Sequence, residues 1–187
     1  KYTVKKNYSH PLLKWVRDSK LIMITAHRRE NLGQPMRNMF KAIKRVLIEN
    51  EAIKAIYPVH LNPKVQQIAD EVFGEMSQVK LIEPLNVTDF HNFLNHAYLI
   101  LTDSGGIQEE APSLGKPVLV MRDTTERPEG IKAGTLKLVG TDEEPIYTHI
   151  KLLIQNQSLY TKMSRSQNPY GDGKASQRIV QILKDNI

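Results

Sequence analysis

The segment at residues 98–115 carries the strongest chemical signal in this sequence. An apolar, strand-like run at residues 98–101 leads into Thr-Asp-Ser-Gly-Gly, and a helix-forming run follows. Ser104 is a favourable helix N-cap residue, and Gly105 and Gly106 allow backbone amides to approach a ligand closely. A helix N-terminus presents free N–H groups and the positive end of the helix dipole. These three residues therefore predict a site for an anion such as a phosphate.

Two carboxylates, Glu109 and Glu110, follow the glycines near the end of the first helical turn. One of them could accept hydrogen bonds from sugar hydroxyls, so the segment is suited to a nucleotide. The alternative is a tight turn whose glutamates interact only with the helix dipole. The segment is not a P-loop, because no Gly-Lys-Ser/Thr follows the glycines. It also lacks the third glycine of the dinucleotide-binding fingerprint.

Composition narrows the classes of function. The chain has 187 residues, a formal net charge of +6 and no cysteine. The lack of cysteine excludes disulfides, thiolate zinc sites and cysteine nucleophiles, and is typical of a reducing cytoplasm, where we expect the protein to act. The basic clusters at residues 5–6, 28–29 and 41–45 have few aromatic residues between them, so we expect no nucleic-acid partner. No apolar run reaches membrane-spanning length, and no histidine pair has metal-ligand spacing, so we expect neither a membrane span nor a metal site.

Strand-like and helix-like segments alternate along the whole chain, which predicts an α/β fold of the Rossmann-like type. Short apolar strands separated by helices form right-handed βαβ units and a parallel sheet covered on both faces. We interpret residues 1–187 as one such domain. The predicted strands are 21–25, 55–59, 79–82, 98–101, 117–121 and 135–139. The predicted helices are 35–50, 63–73, 89–95, a run after residue 104, 145–154, 158–163 and 175–183.

Polar clusters follow five of the predicted strands, at the carboxyl ends where parallel sheets bind ligands. In the first cluster, residues 26–31, the imidazole of His27 and the guanidiniums of Arg28 and Arg29 could hold a diphosphate, and His27 could supply a proton or a hydrogen bond to a leaving phosphate. The alternative is a surface histidine with its arginines paired to Glu30. A lone strand-end histidine such as His60 is more often structural. The loop at residues 122–129 either binds substrate or is held together by its own ion pairs.

Three aromatic residues of interest lie on the predicted helix at residues 89–95 or directly after it. Phe90 could pack against a nucleobase, although a Phe on a short amphipathic helix usually belongs to the core. His91 and His96 flank its apolar stripe, and we interpret both as structural residues.

Taken together, five segments of this sequence resemble the non-hydrolysing bacterial UDP-N-acetylglucosamine 2-epimerases. The resemblance covers essentially the whole chain but only the carboxyl-terminal half of the family. Because the sequence also begins abruptly and without Met, we expect it to be part of a longer protein whose amino-terminal domain is absent here. Full members are similar to GT-B glycosyltransferases, and this half is their nucleotide-binding domain. The segments are TAHRREN (25–31), YPVHLNP (57–63), TDSGGIQEEAP (102–112), RDTTERPE (122–129) and NPYGDG (168–173).

The resemblance implies reversible inversion at C2 of UDP-GlcNAc to give UDP-ManNAc. UDP is eliminated to leave 2-acetamidoglucal and then adds back with the other C2 configuration. His27 is implied to lie near the diphosphate and the reacting sugar as the catalytic residue, with Arg127 contacting the nucleotide sugar. A second, activating UDP-GlcNAc is implied to contact Arg28 and His60 beside His27. The other implied UDP contacts are Ser104, Gly105 and Gly106 to the diphosphate, Glu110 to the ribose, and Phe90 with the backbone near Leu85 to the uracil.

The resemblance also implies that no cofactor is needed, that the intact enzyme is a homodimer, and that its product feeds cell-surface polysaccharide. The family's acidic proton-transfer residues belong to the amino-terminal half, so we expect this chain alone to be catalytically incomplete. The alternative interpretation is a self-standing nucleotide-sugar-binding or glycosyltransferase-like domain with its own role.

Overall fold

A six-stranded parallel sheet forms the centre of the computed structural model, which describes residues 3–186. The strand order is β3-β2-β1-β4-β5-β6, and each neighbouring pair runs parallel. All the carboxyl ends of the strands therefore lie on one edge of the sheet. The strands are β1 (Lys20–Thr25), β2 (Ile53–Pro58), β3 (Val79–Ile82), β4 (Leu99–Thr102), β5 (Val118–Val120) and β6 (Leu136–Leu138).

Nine α-helices accompany the sheet within the described residues, together with a single 3₁₀ turn at Arg29–Asn31. None of them is both long and apolar enough to cross a membrane. They are α1 (Pro11–Trp15), α2 (Gln34–Ile48), α3 (Pro63–Phe73), α4 (Val87–His96), α5 (Gly105–Ser113), α6 (Pro128–Ala133), α7 (Glu143–Gln155), α8 (Gln157–Ser164) and α9 (Ala175–Asp185).

Strands β1, β4 and β5 are buried on both faces, because consecutive side chains point to opposite sides of the sheet and apolar side chains cover both sides. In β1, Ile22 and Ile24 pack into the apolar cluster formed with α2, α3 and α7. Leu21 and Met23 pack into a second cluster formed with α4 and α5. A continuous apolar strand such as β1 is therefore what a two-sided core requires.

The strand order places a crevice between β1 and β4. Strands β2 and β3 lie on one side of β1. The chain then crosses back over the sheet, so that β4, β5 and β6 lie on the other side of β1. At such a reversal the connections leave in opposite directions, and ligands of open α/β sheets bind there. The loop after β1 and the start of α5 are the two segments that face each other across this crevice.

All six predicted strands are confirmed, with ends that lie within two residues of the observed ones. Each predicted helix is also confirmed, because an observed helix overlaps it. Two short helices were not predicted: α1, with five residues, and α6, with six. The second begins inside the segment interpreted as a loop, because Pro128 suits the first helical turn and Gly134, with φ +77°, ends it. Helix α4 begins two residues earlier than predicted, because the Asn86 side chain accepts a hydrogen bond from the Asp89 amide and caps it.

Phe40 tests the core between α2 and the sheet. Its side chain is fully buried, and its ring lies 5.5 Å from Tyr57 and 5.0 Å from Phe73, measured between ring centroids. We expect Phe40→Ala to lower the free energy of unfolding by about 3–5 kcal/mol, since truncation leaves a cavity. Urea denaturation measures this. Lys41→Ala, at an exposed position on the same helix, should change stability by less than about 0.5 kcal/mol. A comparable loss in both variants would contradict the packing described here.

Candidate functional site

A cavity of about 210 Å³ opens at the carboxyl ends of the strands, beside the crevice between β1 and β4. Residues at or after the ends of four strands line it, together with residues of α4 and α5. Five of the residues singled out in the sequence line it, so the fold brings together segments that are far apart in the chain. The lining residues are Thr25, Ala26, His27, Pro58, His60, Pro84, Leu85, Phe90, Ser104 and Ile107.

A buried carboxylate, Asp103, organises this edge of the sheet. It has no exposed surface and accepts hydrogen bonds from the backbone amides of His27 (3.0 Å) and Arg28 (2.9 Å). The Asn31 side chain donates a third, at 3.1 Å. Asp103 thereby fixes the loop after β1 against the start of α5. No role was predicted for Asp103 from the sequence, although a charged residue directly after a buried strand and before Ser-Gly-Gly is a signal that could have indicated one.

The start of α5 is open to a ligand. The Ser104 amide donates to Thr102 Oγ1 at 2.9 Å, but the Ser104 hydroxyl makes no capping hydrogen bond. The prediction that Ser104 is the N-cap residue is therefore confirmed, but its side chain does not contribute a capping hydrogen bond. The reason is that Thr102 anchors the turn, which leaves the Ser104 hydroxyl free. The amides of the first turn have no acceptor within the helix, so Gly105 and Gly106 present theirs outward.

A guanidinium group lies against these glycines. Arg28 Nε donates to the Asp103 carbonyl oxygen at 3.2 Å. Its Nη2 atom is only 3.6 Å from the position that a Cβ at Gly105 would occupy. A cation, the helix dipole and free amides thus act on the same small volume. This combination favours a phosphate group over a neutral ligand.

Two histidines stand side by side at the cavity. The His27 and His60 rings are stacked, with centroids 5.3 Å apart and planes 7° from parallel. His27 Nδ1 lies 3.7 Å from Asp103 Oδ1, and 41% of its side chain is exposed. His27 therefore has a fixed backbone, a carboxylate behind it and a ring accessible from the cavity. His60 is part of the site rather than an isolated surface residue.

Phe90 and Leu85 line the cavity while also packing on the second apolar cluster. Both side chains are half-buried. The two alternatives considered for Phe90, core residue and ligand contact, are therefore compatible. One side of its ring can support the core while the other faces the cavity.

The two glutamates of α5 have different partners. Glu109 forms an ion pair with Arg127, whereas Glu110 Oε2 lies 3.1 Å from His91 Nε2. Neither Glu110 nor Arg127 lines the cavity. Glu110 lies on α5, and Arg127, which precedes α6, reaches α5 through its ion pair with Glu109. His91 was predicted to be a structural residue only, and the structure adds this direct contact with Glu110. Residues on two different helices make it, so no local pattern could reveal it.

The loop at residues 122–127 is held by its own ion pairs, as one of the two alternatives predicted. Arg122 is buried and donates to both carboxylate oxygens of Glu126, at 2.6 and 2.9 Å. This pairing lowers the pKa of Glu126 from its ordinary value of 4.5 to about 2. Thr125 donates to the buried Gln108 at 2.5 Å, and Gln108 donates to the Ser104 carbonyl oxygen at 3.2 Å. The loop is thus fastened to the start of α5.

Arg28 also lies near carboxylates of this region, with Glu30 at 3.8 Å and Glu126 at 3.9 Å. The predicted alternative in which Glu30 pairs with the neighbouring arginine is therefore partly realised. These separations are long for ion pairs on an exposed surface and are worth little energetically. Arg28 remains available to an incoming anion.

Other parts of the surface are weaker candidates. Among residues 3–186 no three His, Asp or Glu side chains cluster in a way that could hold a metal ion. A larger cavity, of about 560 Å³, lies at the far edge of the sheet, where Leu119, Leu152 and Met163 make it mainly apolar. Binding sites combine apolar walls with converging polar groups. The cavity at the strand ends has both, and it lies at the reversal of strand order.

Comparison with known proteins identifies the family. The family model described as UDP-N-acetylglucosamine 2-epimerase matches residues 1–184. This chain belongs to that family. It is 62% identical, over 181 residues, to the UDP-N-acetylglucosamine 2-epimerase of Bacillus subtilis (strain 168), a match that covers 97% of this chain and 48% of that protein. The resemblance found in the five sequence segments is confirmed.

Two solved structures support the fold. A structure of S. aureus MnaA with UDP superposes with a TM-score of 0.94 at 54% identity, covering 98% of this chain and 50% of that one. The C-terminal domain of a glycosyl transferase group 1 family protein from Francisella tularensis is similar in fold alone, with a TM-score of 0.65 at 16% identity, covering 89% and 91%. The predicted fold class is confirmed. The chain spans about half the length of the 2-epimerases it matches.

The Arg122–Glu126 pair gives the site a measurable pH dependence. Because the pKa of Glu126 is lowered to about 2 in the folded chain, its carboxylate stabilises the fold at pH values above 4.5. That stabilisation is lost as the pH falls towards 2. We expect Glu126→Gln to melt below the parent at neutral pH, with a difference that shrinks steadily between about pH 5 and pH 2.

Thermal melts at a series of pH values measure this difference. The difference in melting temperature between Glu126→Gln and the parent should be small, because Glu126 is half exposed and solvent weakens its ion pair. Glu75→Gln serves as the control, since Glu75 makes no ion pair within the described chain. A melting difference for Glu126→Gln that stays constant down to low pH would show that the pair does not form.

Proposed function

We propose that this chain is the nucleotide-binding half of a UDP-N-acetylglucosamine 2-epimerase, which interconverts UDP-GlcNAc and UDP-ManNAc. The observation that carries the proposal is the convergence of free helix amides, Arg28 and an apolar cavity at the reversal of strand order. Together these features offer a positive field for a diphosphate and a flat apolar surface for a base. Membership of the family, and a relative whose structure contains UDP, support the choice of nucleotide.

Each part of UDP is assigned to a group of suitable chemistry. The diphosphate binds the amides of Ser104, Gly105 and Gly106, beside Arg28. The uracil occupies the cavity next to Phe90 and the backbone near Leu85. The ribose hydroxyls bind Glu110, and the nucleotide sugar contacts Arg127.

The reaction proposed for the intact protein is an elimination followed by re-addition. The C2–H and C1–O bonds of UDP-GlcNAc break, a C1=C2 double bond forms, and UDP leaves with the electron pair of the C1–O bond. The amides at the start of α5 stabilise the negative charge that grows on the diphosphate. His27, held by Asp103, is the group of this chain placed to transfer a proton near the leaving group. UDP then adds back at C1 while a proton is delivered to the opposite face of C2, which inverts C2 and gives UDP-ManNAc.

The base that acts at C2 is assigned to the other half of the intact protein. Within the described residues, the glutamates around the start of α5 are already engaged, Glu109 by Arg127 and Glu110 by His91. A base must be free and placed at the proton it removes. We therefore propose that the half of the family absent from this chain completes the site, and that this chain alone does not epimerise its substrate.

The wider setting is part of the same proposal. The intact protein acts as a homodimer in the bacterial cytoplasm and supplies UDP-ManNAc to cell-surface polysaccharide. A second UDP-GlcNAc contacts the group formed by His27, Arg28 and His60. The stacked rings and the adjacent guanidinium support this, since they give the cavity a second polar wall.

Glu110→Gln tests the proposed binding of UDP. Because a carboxylate that accepts hydrogen bonds from ribose hydroxyls contributes more than a neutral amide, we expect UDP affinity to fall by about 1–3 kcal/mol. Isothermal titration calorimetry of the chain with UDP measures this, and melting curves of the same variant report any loss of helix stability. Unchanged affinity in Glu110→Gln would rule out the ribose assignment. An absence of UDP binding by the parent chain would rule out the function proposed here.

A further inference from the structure

We propose that His91 is a positioning residue for Glu110, and that the hydroxyl of Thr3 selects the tautomer of His91 that performs this role. In this arrangement His91 holds one carboxylate oxygen and leaves the other for the ribose diol. The proposal rests on the function proposed above, because it concerns how the chain recognises a ribonucleotide rather than a nucleotide that lacks its hydroxyls.

The contacts determine which nitrogen of His91 carries the proton. Nε2 lies 3.1 Å from Glu110 Oε2, and Nδ1 lies 2.6 Å from Thr3 Oγ1. A carboxylate can only accept hydrogen bonds, so Nε2 must donate. In the neutral ring Nδ1 is then the acceptor, and the Thr3 hydroxyl donates to it. The opposite tautomer would place a lone pair against the carboxylate of Glu110.

The segment that carries Thr3 is itself fixed to α4. The buried Asn92 side chain donates to the Thr3 carbonyl oxygen at 3.0 Å and accepts from the Lys5 amide at 2.9 Å. These two hydrogen bonds hold the backbone on either side of Val4 against the helix. The Thr3 hydroxyl is therefore not on a free terminus but is placed beside the His91 ring.

Glu110 needs such support because it is otherwise an exposed side chain with several rotatable bonds. About 46% of it is exposed, whereas the His91 side chain is 23% exposed. Its Oε1 atom is 3.9 Å from the position that a Cβ at Gly106 would occupy, next to the turn assigned to the diphosphate. Oε2 is bound by His91 and Oε1 is free on the ligand side. Ordering the carboxylate before the ligand arrives removes part of the entropic penalty of binding.

A matched pair of variants, His91→Gln and His91→Met, separates this role from packing. Gln and Met have similar length and helix propensity, but only Gln carries an N–H near the position of Nε2. The probes are UDP and 2′,3′-dideoxy-UDP, which lacks both ribose hydroxyls. We expect the parent chain to prefer UDP by about tenfold or more, since a hydrogen bond to a charged group is lost in the dideoxy probe.

In His91→Met we expect that preference to fall to within about threefold, while affinity for 2′,3′-dideoxy-UDP stays unchanged. In His91→Gln most of the preference should return. Calorimetric titration of each variant with both probes measures the ratio. A purely structural role would weaken the binding of both nucleotides alike, and that result, or a full preference retained in His91→Met, would overturn the proposal.

Titration of the unmodified chain separates failure of the proposed function from failure of the role assigned to His91. If the unmodified chain binds UDP but shows no preference over the dideoxy probe, the ribose assignment of Glu110 fails, and the role of His91 with it. If the unmodified chain does not bind UDP at all, the proposed function itself fails.

Two further experiments test the role of Thr3 without using the His91 variants: the variant Thr3→Val and a spectroscopic measurement of the unmodified chain. Thr3→Val keeps the shape of the side chain but cannot donate to Nδ1, so the preference for UDP should fall in the same direction by a smaller factor. Long-range ¹H–¹⁵N spectra of the unmodified chain should show the Nε2–H tautomer of His91. An Nδ1–H tautomer, or an unchanged preference in Thr3→Val, would overturn the role assigned to Thr3.

Discussion

The arrangement of the candidate site depends on one buried carboxylate. Asp103, at the end of β4, has no contact with solvent and accepts hydrogen bonds from the loop after β1 and from Asn31. A buried charge is costly unless it is fully hydrogen-bonded, so the loop has little freedom to move away. The same contact sets the position of the His27 ring and brings Arg28 across the start of α5. These contacts fix the proposed anion site through hydrogen bonds of the chain itself.

Asp103 can do this only because of the order of the strands. Residues at the ends of β1 and β4 are far apart in the sequence, and they become neighbours because the chain reverses direction across the sheet between β3 and β4. The buried pair Thr25–Thr102, with oxygens 2.6 Å apart, continues the same junction into the sheet. Two apolar clusters hold this sheet rigid from both sides. Rigid strands with functional loops at one edge are the general basis of ligand sites in parallel α/β proteins.

The fold class and the edge of the sheet that carries the candidate site could be predicted from the sequence, because both depend on local patterns. Continuous apolar strands indicated a two-sided parallel sheet, and the rule that ligands bind at strand ends sorted His27, His60 and Ser104 onto one edge. The two short helices could not be found this way, since five or six residues give too little periodicity. The contacts of His91 with Glu110 and Thr3 were also beyond reach, because they join residues from three distant segments. The same limit kept both interpretations of the 122–129 loop open until the position of Arg122 was known.

We propose that UDP binds at the junction of β1 and β4, and titration of the ¹⁵N-labelled chain with UDP, followed by amide chemical shifts, is the sharpest test of this. We expect the largest changes on Gly105, Gly106 and Ile107, with further changes at His27 and Phe90. Amides around the apolar cavity near Leu152 and Met163 should not respond. Shifts concentrated at that cavity, or the absence of any saturable change at the start of α5, would show that UDP does not bind at this junction.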